Sequence, residues 1–311
     1  AGLAAAGLAA AAAIALEEAR ADGGGEAGPG RWAILALGTY GTHEVHLCGD
    51  LDIALLHDGS GAPGAADRLG QRVLSAMSAT TPEGRLWPVD SRLRPDGASS
   101  PLAVPLARLE SYYGRDAGLW EFQSLTRARL AVGDEGVARD ALGQVAAAWE
   151  ARRPAFDIPG GIWAMRQRME AAAKLPRWAR VDLKASPGGL IDAEFVAQRL
   201  RLEGPPARTF TIGGETPVAP LEEWPGDALL PAEDAAWLAA HYARVRAAQR
   251  ALRLLLETAR SYLPEDLARR AALRRGLSAT DIEADGDDII SAGSMRRARE
   301  VMRRALGGDL H

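Results

Sequence analysis

A single cysteine among 311 residues excludes an internal disulfide and fits a reducing, cytoplasmic compartment. Long hydrophobic runs are missing as well: the longest, Ala4 to Leu16, is alanine-dominated, lacks a basic flank and is too short to cross a bilayer, so it reads as a helix and no membrane is expected. There is no excess of positive charge. The formal net charge of -4 argues against a general nucleic-acid binder, because neutralising many phosphates takes a basic surface. The five histidines supply no zinc set, since His43 and His46 stand three apart and only Cys48 has a spacing suited to join them. Cys48 itself has no basic neighbour to make it a thiolate and reads as a small strand residue. An initiator methionine is also missing, which with the abrupt alanine-rich start suggests a piece of a longer chain.

What is present is ordinary for a globular protein, 47% hydrophobic and 25% charged, with length enough for two cores. Gly23-Gly24-Gly25 and Gly28-Pro29-Gly30 separate the alanine-rich helix from a first strand, and Gly59 to Gly64 turns a second strand into a helix. From about Leu106 the apolar spacing becomes helical, over 106–113, 119–130, 137–151, 161–174, 192–202, 233–259, 264–274 and 291–306. The proline-rich stretch Gly204 to Pro231 is expected to connect parts of the helical region. Arg269-Arg270, Arg274-Arg275, Arg296-Arg297, Arg299 and Arg303-Arg304 read as solvated helix faces.

The chemistry concentrates at Asp50-Leu51-Asp52, followed by Ile53-Ala54-Leu55-Leu56. Side chains alternate faces along a strand, so carboxylates two apart project to the same side and can share a cation. The unbroken apolar run predicts a strand buried on both faces with two acids at its mouth. Such a pair alone also serves turns, where carboxylates accept backbone N–H groups. Asp90 shifts the balance: it ends a second apolar-flanked strand, expected over Leu86 to Leu93, and the intervening helix of a strand-helix-strand unit can return it beside Asp50 and Asp52. Magnesium suits such a triad, because it favours a few carboxylates together with nucleotide phosphates. Arg92 and Arg94 supply positive charge for a triphosphate, although one of them can be structural.

Further along, Trp120, Gln123, Ser124 and Arg127 share a helix face, with Trp120 expected as a core anchor and Arg127 reaching past it. Arg127 and Arg129 are candidates to buttress the acids. On the helix that begins near Gly188-Gly189, Asp192 and Glu194 lie about 200° apart around the axis. Glu194 is therefore the candidate for a cleft and Asp192 for a cap.

These segments resemble a family. Leu35 to Glu44, Gly49-Asp50-Leu51-Asp52, Asp90-Ser91-Arg92-Leu93-Arg94-Pro95-Asp96-Gly97, Trp120 to Arg129, Asp182-Leu183-Lys184 and Gly188 to Gln198 occur in the order found in glutamine synthetase adenylyltransferases. The resemblance implies an α+β chain: an alanine-rich helix and glycine-rich linker over 1–30, a DNA polymerase β-like nucleotidyltransferase domain over 31–130, and an all-α domain over 131–311. It implies Mg2+ on Asp50, Asp52 and Asp90 as metal-bound catalytic acids, ATP as substrate held by Gly38, Gly41, Gly49, Arg92, Arg94 and Glu194, and transfer of AMP to a tyrosine hydroxyl of glutamine synthetase. A nitrogen-signalling regulatory protein is implied as a further partner.

The family carries two such halves, one attaching AMP and one removing it by phosphorolysis. Asp192-Ala193-Glu194 and Thr126 to Arg129 look more like the adenylylating, C-terminal half; removal, or a catalytically weakened interaction module, are the alternatives. The departures are Thr39, Thr42 and Cys48-Gly49, where the family usually has a lysine, a glycine and a serine before the first catalytic aspartate. Gly49 keeps backbone access for a phosphate but lacks the hydroxyl.

Overall fold

The computed structural model describes residues 2–22, 28–46, 49–82, 84–256, 259–266 and 290–307. In chain order its elements are α1 (Gly2–Asp22), β1 (Trp32–Ala36), α2 (Gly38–Gly41), β2 (Leu51–His57), α3 (Ala65–Ser78), β3 (Thr80–Thr81), β4 (Gly84–Arg85), β5 (Val89–Asp90), β6 (Ala103–Pro105), α4 (Leu106–Arg115), α5 (Leu119–Leu125), β7 (Arg129–Gly133) and α6 (Glu135–Arg152). Then follow α7 (Ile158–Ala172), β8 (Ala179–Asp182), α8 (Leu190–Glu203), α9 (Pro206–Thr209), α10 (Ala219–Glu222), α11 (Ala232–Leu255), β9 (Tyr262–Pro264) and α12 (Ala292–Ala305). The chain is thus α+β. It forms two compact units, Ala1–Phe156 with Gly204–Thr216, and Asp157–Glu203 with Pro217–His311.

In the first unit β2 is the hub of the sheet. It pairs antiparallel with β1 and parallel with both β5 and β6, while β7 flanks β1. Leu51, Ile53, Ala54, Leu55 and Leu56 are all buried, as the apolar run predicts. One sheet face, through Trp32, Ile34, Ala36, Leu51, Ile53 and Leu55, packs with Leu69, Val73 and Met77 of α3 and with Ala4, Leu8, Ala11, Ala12 and Ala15 of α1. Each fully buried Leu or Ile there contributes about 1.5–3 kcal/mol relative to exposure. Helix α1 is longer than the apolar stretch suggested, and Gly2–Ala19 is long and apolar enough to cross a membrane by length and composition. Its buried stripe is nevertheless part of this core. The strand ends where Asp58 accepts the Ser60 amide at 2.9 Å and the Ser60 hydroxyl at 2.6 Å, and Gly59 takes φ 82°. Asp134 caps α6 by accepting the Val137 amide at 2.9 Å.

Several expectations are corrected here. The strand expected over Leu86 to Leu93 is only Val89–Asp90: Pro88 has no amide to give a ladder, and the Arg92 amide donates locally to the Asp90 side chain. The helix expected over 119–130 stops at Leu125, and Arg129 already belongs to β7. Trp120 is not a core anchor: it is 47% exposed, while Phe122 takes that role against Tyr113 and Trp149. The 204–216 part of the proline-rich stretch joins the first unit, where the Leu130 amide donates to the Ile212 carbonyl at 3.0 Å.

The second unit is built round α8, which is buried on nearly every side and contacts α7, α10, α11 and α12. At its start a charge cluster is locked inside. Arg166 Nε donates to Asp192 at 2.5 Å, both side chains being fully buried, and Arg166 Nη2 donates to the carbonyls of Ala185 and Ser186 at 2.9 and 3.2 Å. Arg299 lies 2.8 Å from Glu170, and Arg297 and Arg304 lie 3.4 and 2.9 Å from Asp234. These arginines tie α12 to α7 and α11 and are not merely solvated. Gly188, at φ 81°, is required by close approach, since a Cβ there would sit 2.0 Å from the Met295 carbonyl oxygen. The expected helix over 264–274 and Arg269-Arg270 and Arg274-Arg275 fall outside the described residues, apart from residues 264–266, which are not helical.

Candidate metal centre

Asp50 stands immediately before β2 and Asp52 is its second residue, so the two share a face. Strand β5 runs parallel beside β2 with Asp52 opposite Asp90. The register is held by Leu51, whose amide donates to the Pro88 carbonyl at 2.9 Å. One carboxylate oxygen from each of Asp50, Asp52 and Asp90 lies within 4.8 Å of the others. Asp50 is exposed; Asp52 and Asp90 are half-buried. Three hard anionic donors at this spacing, open to solvent, can hold a divalent cation with water completing its shell.

The surrounding backbone leaves that cluster open. Gly38 has φ 53°, and a Cβ on it would lie 2.1 Å from Asp52 Oδ2. Only glycine lets α2 pass this close to the carboxylate. At Gly41 a Cβ would fall 1.8 Å from the Arg127 carbonyl oxygen, so Gly41 serves backbone packing between the 38–41 turn and the segment entering β7. Gly49 is different, for the nearest atom to a Cβ is the His46 carbonyl oxygen at 3.4 Å. That carbonyl accepts the Gly49 amide at 3.0 Å and the Trp87 indole N–H at 2.8 Å, which anchors the loop leading to Asp50. Trp87 was not singled out from sequence, although a tryptophan directly before Pro88 marked the position. Thr42 is buried with its hydroxyl 3.5 Å from the Gly38 carbonyl and 3.4 Å from that of Thr39, a turn-closing role. Cys48 lies outside the described residues.

The two arginines separate in role. Arg92 places Nε 3.0 Å from each Asp90 oxygen and Nη2 2.6 Å from Oδ2, while its amide donates to Oδ1 at 2.9 Å. These hydrogen bonds hold the Asp90 carboxyl below the usual carboxylate range, against the opposing effect of its partial burial. Arg94 instead donates to the carbonyls of Ser91, Ser100 and Pro101 and fastens the loop after β5. Arg129 is spent on the turn: Nη2 donates to the Tyr40 carbonyl at 3.0 Å and its guanidinium lies 4.8 Å over the Tyr40 ring. Glu194 belongs to the second unit, where it is buried and accepts the Tyr242 hydroxyl at 3.3 Å. Asp192 does act as a cap, accepting the Gly188 amide at 2.7 Å, besides pairing with Arg166.

The family model for glutamate-ammonia ligase adenylyltransferase matches residues 1–144, and that for GlnD PII-uridylyltransferase matches residues 161–304. Among curated relatives, each named bifunctional glutamine synthetase adenylyltransferase/adenylyl-removing enzyme, the chain is 41% identical to that of Caulobacter vibrioides over 57% of its own length and 19% of the relative's. It is 34% identical to that of Streptomyces coelicolor over 86% of its length and 27% of the relative's, and 36% identical to that of Agrobacterium fabrum over 57% and 19%. The chain therefore spans roughly a fifth to a quarter of the proteins it matches. The Asp50, Asp52 and Asp90 cluster lies inside the first matched segment, the part of the chain that is similar to glutamate-ammonia ligase adenylyltransferase, a nucleotidyltransferase family.

Proposed function

We propose that this chain transfers AMP from ATP to a tyrosine hydroxyl of glutamine synthetase, with Mg2+ bound by Asp50, Asp52 and Asp90. The observation that carries the reading is the meeting of the three carboxylates within 4.8 Å at a point kept open by Gly38. Bound there, Mg2+ would neutralise charge on the nucleotide phosphates and lower the pKa of the incoming hydroxyl. The tyrosine oxygen attacks the α-phosphorus, the bond to the β-phosphate oxygen breaks, and pyrophosphate leaves. The phenol proton passes to a carboxylate oxygen of Asp90. Arg92 offsets phosphate charge, Arg94 keeps its loop in place, and backbone at Gly38, Gly41 and Gly49 allows the phosphates to come near.

A polymerase β-like arrangement for residues 31–130 is supported by acids carried on the adjacent strands β2 and β5. A mainly helical second domain is supported by the helices clustered round α8 in the unit Asp157–Glu203 with Pro217–His311, which is smaller than the 131–311 expected from sequence. A regulatory partner and a cytoplasmic setting belong to the same proposal. Incubation of the chain with α-labelled ATP, Mg2+ and glutamine synthetase tests it. Label on the acceptor is the expected result. Phosphate-dependent loss of label from adenylylated acceptor, without transfer, would assign removal, and neither reaction from folded protein would refute an enzyme.

A further inference from the structure

We propose that Arg92 is a resident counter-ion of the three-aspartate cluster, one that gives up Asp90 when a divalent cation arrives and then turns its guanidinium to the nucleotide's phosphates. The inference rests on the reading of the cluster as a cation site. Three carboxylates within 4.8 Å bring three formal negative charges to one point, and Arg92 offsets one of them. Every side-chain hydrogen bond of Arg92 among the described residues goes to Asp90, and both Asp90 oxygens carry an Arg92 N–H. Its side chain is 79% exposed. By contrast Arg94, two residues on, is fastened to three carbonyls and has no freedom to leave them.

Release does not cost Asp90 its orientation. Asp90 is also held by the Arg92 amide, which donates to Oδ1 at 2.9 Å, and by the pairing of β5 with β2, and neither depends on where the Arg92 side chain points. The freed fork suits its next partner, because the planar guanidinium that matches a carboxylate bidentately matches a phosphate in the same way. Cation and nucleotide binding are then coupled. The cation frees the group that grips the phosphates, and by reciprocity the nucleotide tightens the cation. Arg92 thus acts on the cation through Asp90 and on the nucleotide directly.

Titration with Mn2+ alone, followed by the electron paramagnetic resonance of the free ion, separates this role from a structural one. A unit positive charge about 5 Å from a divalent ion in a largely aqueous setting opposes it enough to weaken binding roughly three- to twentyfold. Arg92→Gln is therefore expected to bind Mn2+ tighter by that factor, to bind ATP in the presence of Mn2+ more weakly, and to lose most of the coupling between the two. Arg92→Lys keeps the charge and should return Mn2+ affinity towards that of the parent. Exposure of the side chain leaves the melting temperature of both variants near the parent's. Unchanged or weaker Mn2+ binding by Arg92→Gln overturns the proposal and makes Arg92 a clamp for Asp90; so does an Arg92→Lys that behaves as the glutamine variant. If instead the parent, Asp50→Asn and Asp52→Asn all bind Mn2+ alike, the cation site itself is wrong.

Discussion

Gly38→Ala places one methyl group where the structure has none to spare. The added carbon would lie 2.1 Å from Asp52 Oδ2 and 3.1 Å from Cγ, whereas real contacts of this kind begin near 3.0 Å, so the carboxylate must retreat by about 0.9 Å, the difference between 3.0 and 2.1. Residue 38 also has φ 53°, where a side chain costs about 1–2 kcal/mol in backbone strain. A loss of that size lowers the melting temperature by roughly 2–8 °C, so most molecules stay folded at 25 °C. Function should suffer far more. Misplacement of a reacting group by about 1 Å can cost on the order of a hundredfold in rate, and the same movement takes Asp52 out of the cluster. Expected, then, is a folded variant with modestly lower melting temperature, Mn2+ affinity reduced tenfold or more, and adenylyl transfer reduced about a hundredfold. Calorimetry, Mn2+ titration and the labelled-ATP assay read the three quantities. A variant that melts a few degrees lower yet binds Mn2+ and turns over like the parent would refute the claim that Gly38 exists to leave Asp52 room.

Gly49→Ser meets no such obstacle, its Cβ having no neighbour closer than 3.4 Å, and by restoring a hydroxyl before Asp50 it should tighten ATP binding or raise turnover in a nucleotide titration. Asp52→Asn removes one of three mutually repelling charges, so the cation-free protein should melt at or slightly above the parent's temperature while transfer collapses and Mg2+ no longer raises the melting point; unfolding of the variant together with a parent indifferent to Mg2+ would make Asp52 a structural acceptor. Arg166→Met leaves the fully buried Asp192 without its closest partner and should destabilise the second unit by about 3–5 kcal/mol in denaturant unfolding, with part of that loss recovered when Asp192→Leu is added.

The two halves of the chain match different family models, residues 1–144 one and residues 161–304 the other. The motifs Asp50 to Asp52 and Asp90 to Gly97 fall in the first matched segment and Gly188 to Gln198 in the second.

What could be read from the sequence is what depends on near neighbours along the chain. The period of two in Asp50-Leu51-Asp52 and the apolar run after it place two carboxylates on one side of a buried strand, because backbone geometry alone alternates side chains. Helical spacing likewise located α4, α6, α7, α8, α11 and α12 to within a few residues. Partners far apart in the chain were decided only by the tertiary structure. Whether Trp120 or Phe122 fills the core depends on Tyr113 and Trp149 arriving from other helices. Arg92 and Arg94 are the same residue type two positions apart, and only the fold of the loop after β5 gives one of them to a carboxylate and the other to carbonyls. The cap at Asp192 followed from its place at a helix start, but its burial with Arg166 did not, since a charge is tolerated inside only where a distant opposite charge is brought to meet it. The pairing of Asp52 with Asp90 has the same origin: the strand period points the carboxylate, and the register between β2 and β5, held by the Leu51 amide on the Pro88 carbonyl, decides what it points at.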